Sequence, residues 1–207
     1  MGGMARPYRG VDASERLAQR RQRFLDAGLE LLGGQTDPDQ LTVRAICAQS
    51  GLTVRYFYES FTDKEAFVEA VFDTVTAQLA TTTQAAVATA SPTDQNRAGI
   101  TNLIRTISDD ARVGRLLFSK QLSNATLLRL RLKHQGLFIA LAGRHIQDAL
   151  HVGGSNRLAG TTHFVLGGLQ QAISAWLAGE VRLGVDQFVD LLVDILADLN
   201  DPGLFRG

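Results

Sequence analysis

The sequence holds one cysteine, four prolines and one tryptophan, and each scarcity excludes something. Cys47 by itself cannot close an intramolecular disulfide, and its place in an apolar helical pattern suits a small buried thiol in a reducing cytoplasm. No apolar stretch reaches the ~18 residues that a membrane helix needs, and the best, 164–178, is interrupted by Gln170 and Gln171. Arg6 and Arg9 have no apolar run behind them, which speaks against a signal peptide and for a cytoplasmic protein. Charge of one sign is missing as well, since 21 Lys and Arg offset 21 Asp and Glu. Any contact with nucleic acid must therefore come from local placement rather than bulk charge. No glycine-rich phosphate loop, nucleophile elbow or paired-carboxylate motif occurs, Asp109-Asp110 reads as a solvated helix end, and catalysis has no support. His134, His145, His151 and His163 fall at no i, i+3 or i, i+4 spacing, so no metal or other cofactor is expected.

What the chain does have is helical periodicity. With 45% hydrophobic and 20% charged residues over 207 positions, it can bury a real core without staples. No segment alternates with period two, so the fold class is all-α, with about nine helices. Residues 1–13 read as a flexible basic arm. Leu17, Phe24, Gly28 and Leu31 form the apolar face of a first helix, Arg16, Arg20 and Arg23 a second stripe, and Gly33-Gly34 stops it. Six arginines between Arg6 and Arg23 stand against Asp12 and Glu15 alone, whereas residues 24–72 hold Arg44, Arg55 and Lys64 against eight acids. Positive charge is gathered at one end and then placed singly.

After a loop at 36–40 containing Pro38, helices are expected over 41–50, 53–60 and 63–88, with Thr42 and Thr53 as caps and Asp63 in a first turn. In the last of these Phe67, Val71, Val75 and Leu79 form one apolar stripe, with Phe72 beside it. Beyond the Ser91-Pro92 break, helical patterns run over about 95–109, 112–122, 125–151, 156–178 and 185–199, with glycine-bearing stops at 153–154 and 179–184.

The segment Leu41–Phe61, LTVRAICAQSGLTVRYFYESF, is two short helices joined at Gly51, where the turn needs glycine's conformational freedom. Val43, Ile46, Cys47, Leu52 and Phe57 supply the small apolar set that fixes such helices at a steep angle. Thr53, Arg55, Tyr56 and Tyr58 then face outward, a surface rich in donors for phosphates and base edges on a helix that fits the major groove.

Here the sequence resembles the tetracycline-repressor (TetR) family, whose helix-turn-helix runs approximately Thr-Val-Arg-x-Ile-Ala, Ala-Gly-Val-Ser, Tyr-x-x-Phe, Lys-Glu. Thr42, Val43, Arg44, Ile46, Gly51, Tyr58, Phe61, Lys64 and Glu65 match it in order and spacing, within a likeness covering roughly residues 16–72. The resemblance implies a three-helix helix-turn-helix domain at 14–62 and a helical ligand-binding and dimerisation domain at 63–207. It implies that Thr42, Tyr58 and Lys64 touch phosphates, and that Arg44, Thr53, Arg55 and Tyr56 read or flank bases. Val54, Arg55 and Tyr56 are bulkier than the family norm, so the target site cannot be borrowed; Cys47 and Ser50, where alanine is common, read as neutral packing changes. Taken as isolated residues, Arg44 reads as a solvated charge, Tyr58 as a core aromatic and Tyr56 either way; within the motif Arg44 reads as a DNA contact. Phe61 reads as core. The arginine stripe of the first helix is assigned to phosphate.

By the same resemblance the protein is expected to be a homodimeric transcription regulator with a double-stranded DNA operator and an unknown small-molecule effector, with no membrane partner. Release of a repressor from a pseudo-palindrome is the mechanism implied. The alternative is a helical small-molecule-binding protein whose DNA contacts have decayed, and, more distantly, a helical enzyme. Phe164, Gly168, Ile173, Trp176, Phe188, Leu192 and Ile195 are the expected dimer interface, against a reading of the same residues as intramolecular core. Val75, Leu79, Leu103, Ile107, Leu117, Phe138 and Phe164 are the expected walls of a ligand cavity, with Asn102, His134 and Gln171 as polar candidates.

Overall fold

Local chemistry at the helix ends sets the element boundaries. In a computed structural model, which describes residues 13–34, 41–119, 125–150 and 154–199, the chain forms α1 (Ala13–Leu32), α2 (Val43–Ser50), α3 (Val54–Ser60), α4 (Lys64–Thr89), α5 (Gln95–Asp109), α6 (Ala111–Phe118), α7 (Ala125–Leu150), α8 (Asn156–Leu177) and α9 (Val185–Asp198), with no strand among the described residues. The Thr42 hydroxyl accepts from the Ala45 N–H at 3.1 Å and starts α2; Gly51, at φ 66°, ends it in the left-handed region. Asp63 caps α4 through the Ala66 N–H at 2.7 Å, Asp110 caps α6 and Ser155 caps α8. Thr53 occupies the N-cap of α3 but makes no capping bond, which leaves its hydroxyl on the surface. Of the expected arm at 1–13, residue 13 opens α1 and the rest lie outside the described residues, as do the loop at 36–40, His151 and the side chain of His145.

One core runs without interruption from the first three helices into the rest of the molecule. Phe24, Leu32, Ile46 and Phe57 pack with Phe67, Val71 and Phe72 of α4, Val113 and Leu116 of α6, and Leu127 and Leu130 of α7. Its centre is aromatic: Phe24 meets Phe57 and Phe61 edge-on at 5.7 and 6.0 Å, and Phe61 meets Phe67 at 5.2 Å. Gly28 lets α1 close onto α4, because a Cβ there would fall 2.3 Å from Val71 Cγ2 and 2.8 Å from the Phe67 ring. A second core joins Ile100, Ile104 and Ile107 of α5 to Ile173 of α8 and to Phe188, Val189 and Leu192 of α9. Between the cores sits α6. Arg112 ion-pairs with Asp110 at 2.6 Å and with Glu30 of α1, and Arg115 Nε donates to the Gly33 carbonyl.

Candidate nucleic-acid interface and ligand cavity

A seven-residue helix with one buried side chain has most of its surface to offer. In α3 only Phe57 is buried; Thr53, Val54, Arg55 and Tyr58 stand exposed, Arg55 with 84% of its side chain in solvent. Tyr58 leans edge-on against Phe57 at 5.4 Å, which steadies its ring while leaving the residue 58% exposed. Arg44 of α2 is exposed, Thr42 caps α2 and remains exposed, and Lys64 opens α4 partly buried. Thr42, Arg44, Thr53, Arg55, Tyr58 and Lys64 thus lie on the two short helices and the first turn of α4, with donors reaching solvent.

Tyr56 is different. Half-buried against the first core, it carries the Arg20 guanidinium 4.2 Å above its ring. Arg20 also reaches Glu59 at 3.4 Å, and Glu59 in turn holds Arg55 at 3.0 Å. Of the α1 stripe assigned to phosphate, Arg20 and Arg23 are engaged inside the domain, and so is Arg21 beside them. Arg21 Nη1 donates to the Ser60 carbonyl at 2.9 Å and lies 4.5 Å over the Phe61 ring, and Arg23 Nη2 donates to the Ser50 carbonyl at 2.8 Å. They satisfy carbonyls that the ends of α2 and α3 leave unpaired. The signal for this was present in the sequence, since short helices with few internal bonds need outside donors, but the α1 stripe carried no sign of which carbonyls it faces.

Apolar residues of α4 to α8 enclose a cavity of about 540 Å³. Leu79, Leu103, Leu117, His134 and Phe138 line it. The remaining expected wall residues do not. Val75 and Ile107 belong to the two cores, Asn102 spans α5 to α4 by donating to the Thr82 and Thr83 hydroxyls at 3.1 and 2.9 Å, and Phe164 and Gln171 point away into solvent. Sequence reading missed Thr76, Arg131, Gln170 and Ile173 among the lining. A one-residue rotation on α8 separates Gln170 from Gln171, finer than periodicity resolves. His134 is held to Asp73 at 2.6 Å and rests on Phe72, ring centroids 5.1 Å apart. Among the described residues no His, Cys, Asp and Glu side chains gather as a metal site, and no helix is long and apolar enough to cross a membrane.

The α8–α9 residues expected at a dimer interface divide into two sets. Ile173, Phe188 and Leu192 are buried in the second core, and Trp176 stacks on Phe188 at 5.0 Å with its indole N–H donating to the Leu183 carbonyl. Phe164, Gly168 and Ile195 face outward, joined by Leu191. Phe164 is 71% exposed, and Gly160, Gly167 and Gly168 have open space where a Cβ would stand.

Residues 24–71 match the model of bacterial regulatory proteins, tetR family, which is a family of transcriptional regulators. No curated protein matches the sequence as a relative. Among solved structures, the chain is similar to a TetR-family transcriptional regulator from Syntrophomonas wolfei, with TM-score 0.74, 14% identity, and 88% of this chain and 95% of that one covered. It is also similar to the transcriptional regulator FadR from Bacillus subtilis in complex with stearoyl-CoA, with TM-score 0.71, 13% identity and coverage of 84% and 96%. The fatty acid degradation regulator FadR from Bacillus halodurans is a third, with TM-score 0.72, 13% identity and coverage of 86% and 94%.

Proposed function

We propose that this chain, with a tetR-family match over residues 24–71 and the fold of solved TetR-family regulators, is a TetR-like DNA-binding transcription regulator that works as a homodimeric repressor, released from a pseudo-palindromic operator by a small-molecule effector. The outward face of α3 carries the proposal: Thr53, Val54, Arg55 and Tyr58 are presented to solvent by a helix whose one fully buried side chain is Phe57. An exposed arginine, two hydroxyls and a branched apolar group can address guanine edges, phosphates and a thymine methyl in the major groove. Thr42 and Lys64 flank that face and serve phosphate.

A chain of zero net charge binds DNA weakly as one copy, and two copies double the phosphate contacts. The outer face of α8 and α9 supports pairing. Phe164, Leu191 and Ile195 leave apolar area in water, and the glycine stripe gives a partner helix room to approach. The cavity falls within the usual range for small-molecule sites, about 300–1,000 Å³, and in the Bacillus subtilis FadR structure a protein of this fold holds stearoyl-CoA. Release then follows from a population shift, limited to the effector's differential affinity for the two dimer conformations.

The test is selection of bound fragments from the source genome, followed by fluorescence anisotropy on the recovered site. Enrichment of a pseudo-palindrome bound by a dimer is the expected result. Recovery of no common sequence, or of a single unpaired half-site, defeats the reading.

A further inference from the structure

Among the described residues two buried side-chain polar atoms have no hydrogen-bond partner, the Thr76 hydroxyl and Arg131 Nε, and both residues line the α4–α8 cavity. Thr76 is 1% exposed. Buried polar groups are almost always paired, and leaving one unpaired is costly, most of all for a charged group. Arg131 is partly satisfied: its Nη2 donates to the Leu116 carbonyl at 2.9 Å and reaches the Arg115 carbonyl at 3.4 Å, at the end of α6. Carbonyls at a helix C-terminus stabilise a cation but do not neutralise it. Among the described residues no carboxylate pairs with Arg131, and burial alone pulls its guanidinium below its ordinary value. Nor does the cavity supply a counter-charge, because its described lining contains no Asp or Glu. Gln84, Gln135 and Gln170 are neutral, His134 is already joined to Asp73, and Arg144 adds a second positive side chain.

We propose that the effector is an amphiphile with an apolar body and one anionic head, received by Arg131 with the Thr76 hydroxyl as a further donor. The apolar walls Phe72, Leu79, Leu103, Phe138 and Leu169 take the body. A carboxylate or a phosphate supplies the same missing partner, an oxygen acceptor bearing charge. This rests on the cavity being the effector site, as argued above.

The full-length protein is titrated with the neutral dye N-phenyl-1-naphthylamine, whose fluorescence rises in an apolar site. The dye is then displaced by dodecanoate, by dodecyl phosphate and by dodecan-1-ol, three competitors with one chain and different heads. One or both anions compete at concentrations about tenfold below the alcohol, the worth of one charge-assisted hydrogen bond, and the better of the two identifies the head. Arg131→Met abolishes that ratio while dye and alcohol still bind, Arg131→Lys restores part of it, and Thr76→Val, which leaves the α6 carbonyls untouched, reduces it a few-fold. Acid, phosphate and alcohol competing equally in the wild type would overturn the anionic head and leave the cavity as an effector site. Equal ratios in wild type and Arg131→Met, with dye bound in both, would do the same. Failure of the wild type to bind the dye or any competitor removes the cavity reading itself, and this inference with it.

Discussion

Replacing Arg55 by alanine separates what this residue does for the fold from what it does for DNA. Its ion-pair partner is Glu59, one turn on, at 3.0 Å, with both side chains exposed. Exposed i, i+4 pairs contribute about 0.3–0.5 kcal/mol, and less in this order, with the cation N-terminal to the acid. Arg55 is also the second residue of α3, where a positive charge opposes the helix dipole by about 0.3–1 kcal/mol. The two effects nearly cancel, so Arg55→Ala leaves the melting temperature within a degree or two of wild type, by about 2–4 °C per kcal/mol for a chain of this size. On the operator, loss of a base contact costs about 1–3 kcal/mol per subunit, hence at least about thirtyfold for a symmetric dimer. Anisotropy on operator and on scrambled DNA, each across a salt series, measures both. Lys64→Ala is the control: it weakens both DNAs alike and lowers the salt slope by about one per subunit. If Arg55→Ala weakens operator and scrambled DNA equally, it contacts phosphate; if it weakens neither, α3 is not the reading helix.

Gly28→Ala sets helix propensity, a gain of about 1 kcal/mol, against a Cβ 2.3 Å from Val71 Cγ2 and 2.8 Å from the Phe67 ring. Both neighbours are buried and cannot yield, so overpacking of about 1–3 kcal/mol wins and calorimetry finds a lower melting temperature; a rise contradicts the α1–α4 approach. Phe164→Glu combined with Ile195→Glu converts the dimer to monomer in sedimentation velocity with helical circular dichroism unchanged, whereas a persisting dimer places the interface elsewhere. The Arg112 guanidinium, through a side-chain hydrogen bond, holds the Asp110 carboxyl below the ordinary aspartate range. A depressed folded value stabilises above the unfolded value, about 3.9, and that stability is lost as pH falls from there through the folded value. Asp110→Asn therefore flattens denaturant midpoints across that acid window, and an unchanged pH profile refutes the assignment.

The helix-turn-helix was legible because its constraints are local. Thr42 as cap, Gly51 in the left-handed region and Phe57 as the one buried side chain of α3 follow from neighbours a few positions away. The roles of Arg20 and Arg23, and of Arg21 beside them, depend on Glu59, Ser50 and Ser60, up to 39 residues distant, and an arginine stripe looks the same whether it faces phosphate or carbonyl. Periodicity likewise marks α8 as apolar around most of its circumference without dividing it into faces. Packing against α5 and α9 makes that division, taking Ile173 inward and leaving Phe164 out. Thr76 and Arg131 escaped notice for a related reason, since an unpaired polar atom can be recognised only once its surroundings are known.

For a molecule in the cavity to loosen the grip on DNA, some element must link the cavity to the helix-turn-helix, and α6 does so through α1. Leu117 and Phe118 face the cavity, Arg131 hangs from the carbonyls of Arg115 and Leu116, and from the other side Arg112 and Arg115 fasten α6 to Glu30 and Gly33 of α1. Helix α1 holds the end of α2 through Arg23 and the end of α3 through Arg21. Gly33, just past α1, brings it close to α6, since a Cβ there would fall 2.6 Å from Arg112 Cβ. A displacement of α6 is therefore passed to α1 by directional bonds and tight packing rather than absorbed by loose contacts. In a dimer the quantity altered is the separation of the two α3 helices, to which a rigid operator is unforgiving. An effector binding the released conformation a hundredfold better supplies about 2.8 kcal/mol per cavity. Two cavities together reach the ~5.5 kcal/mol that carries a two-state equilibrium from almost all bound to almost all free.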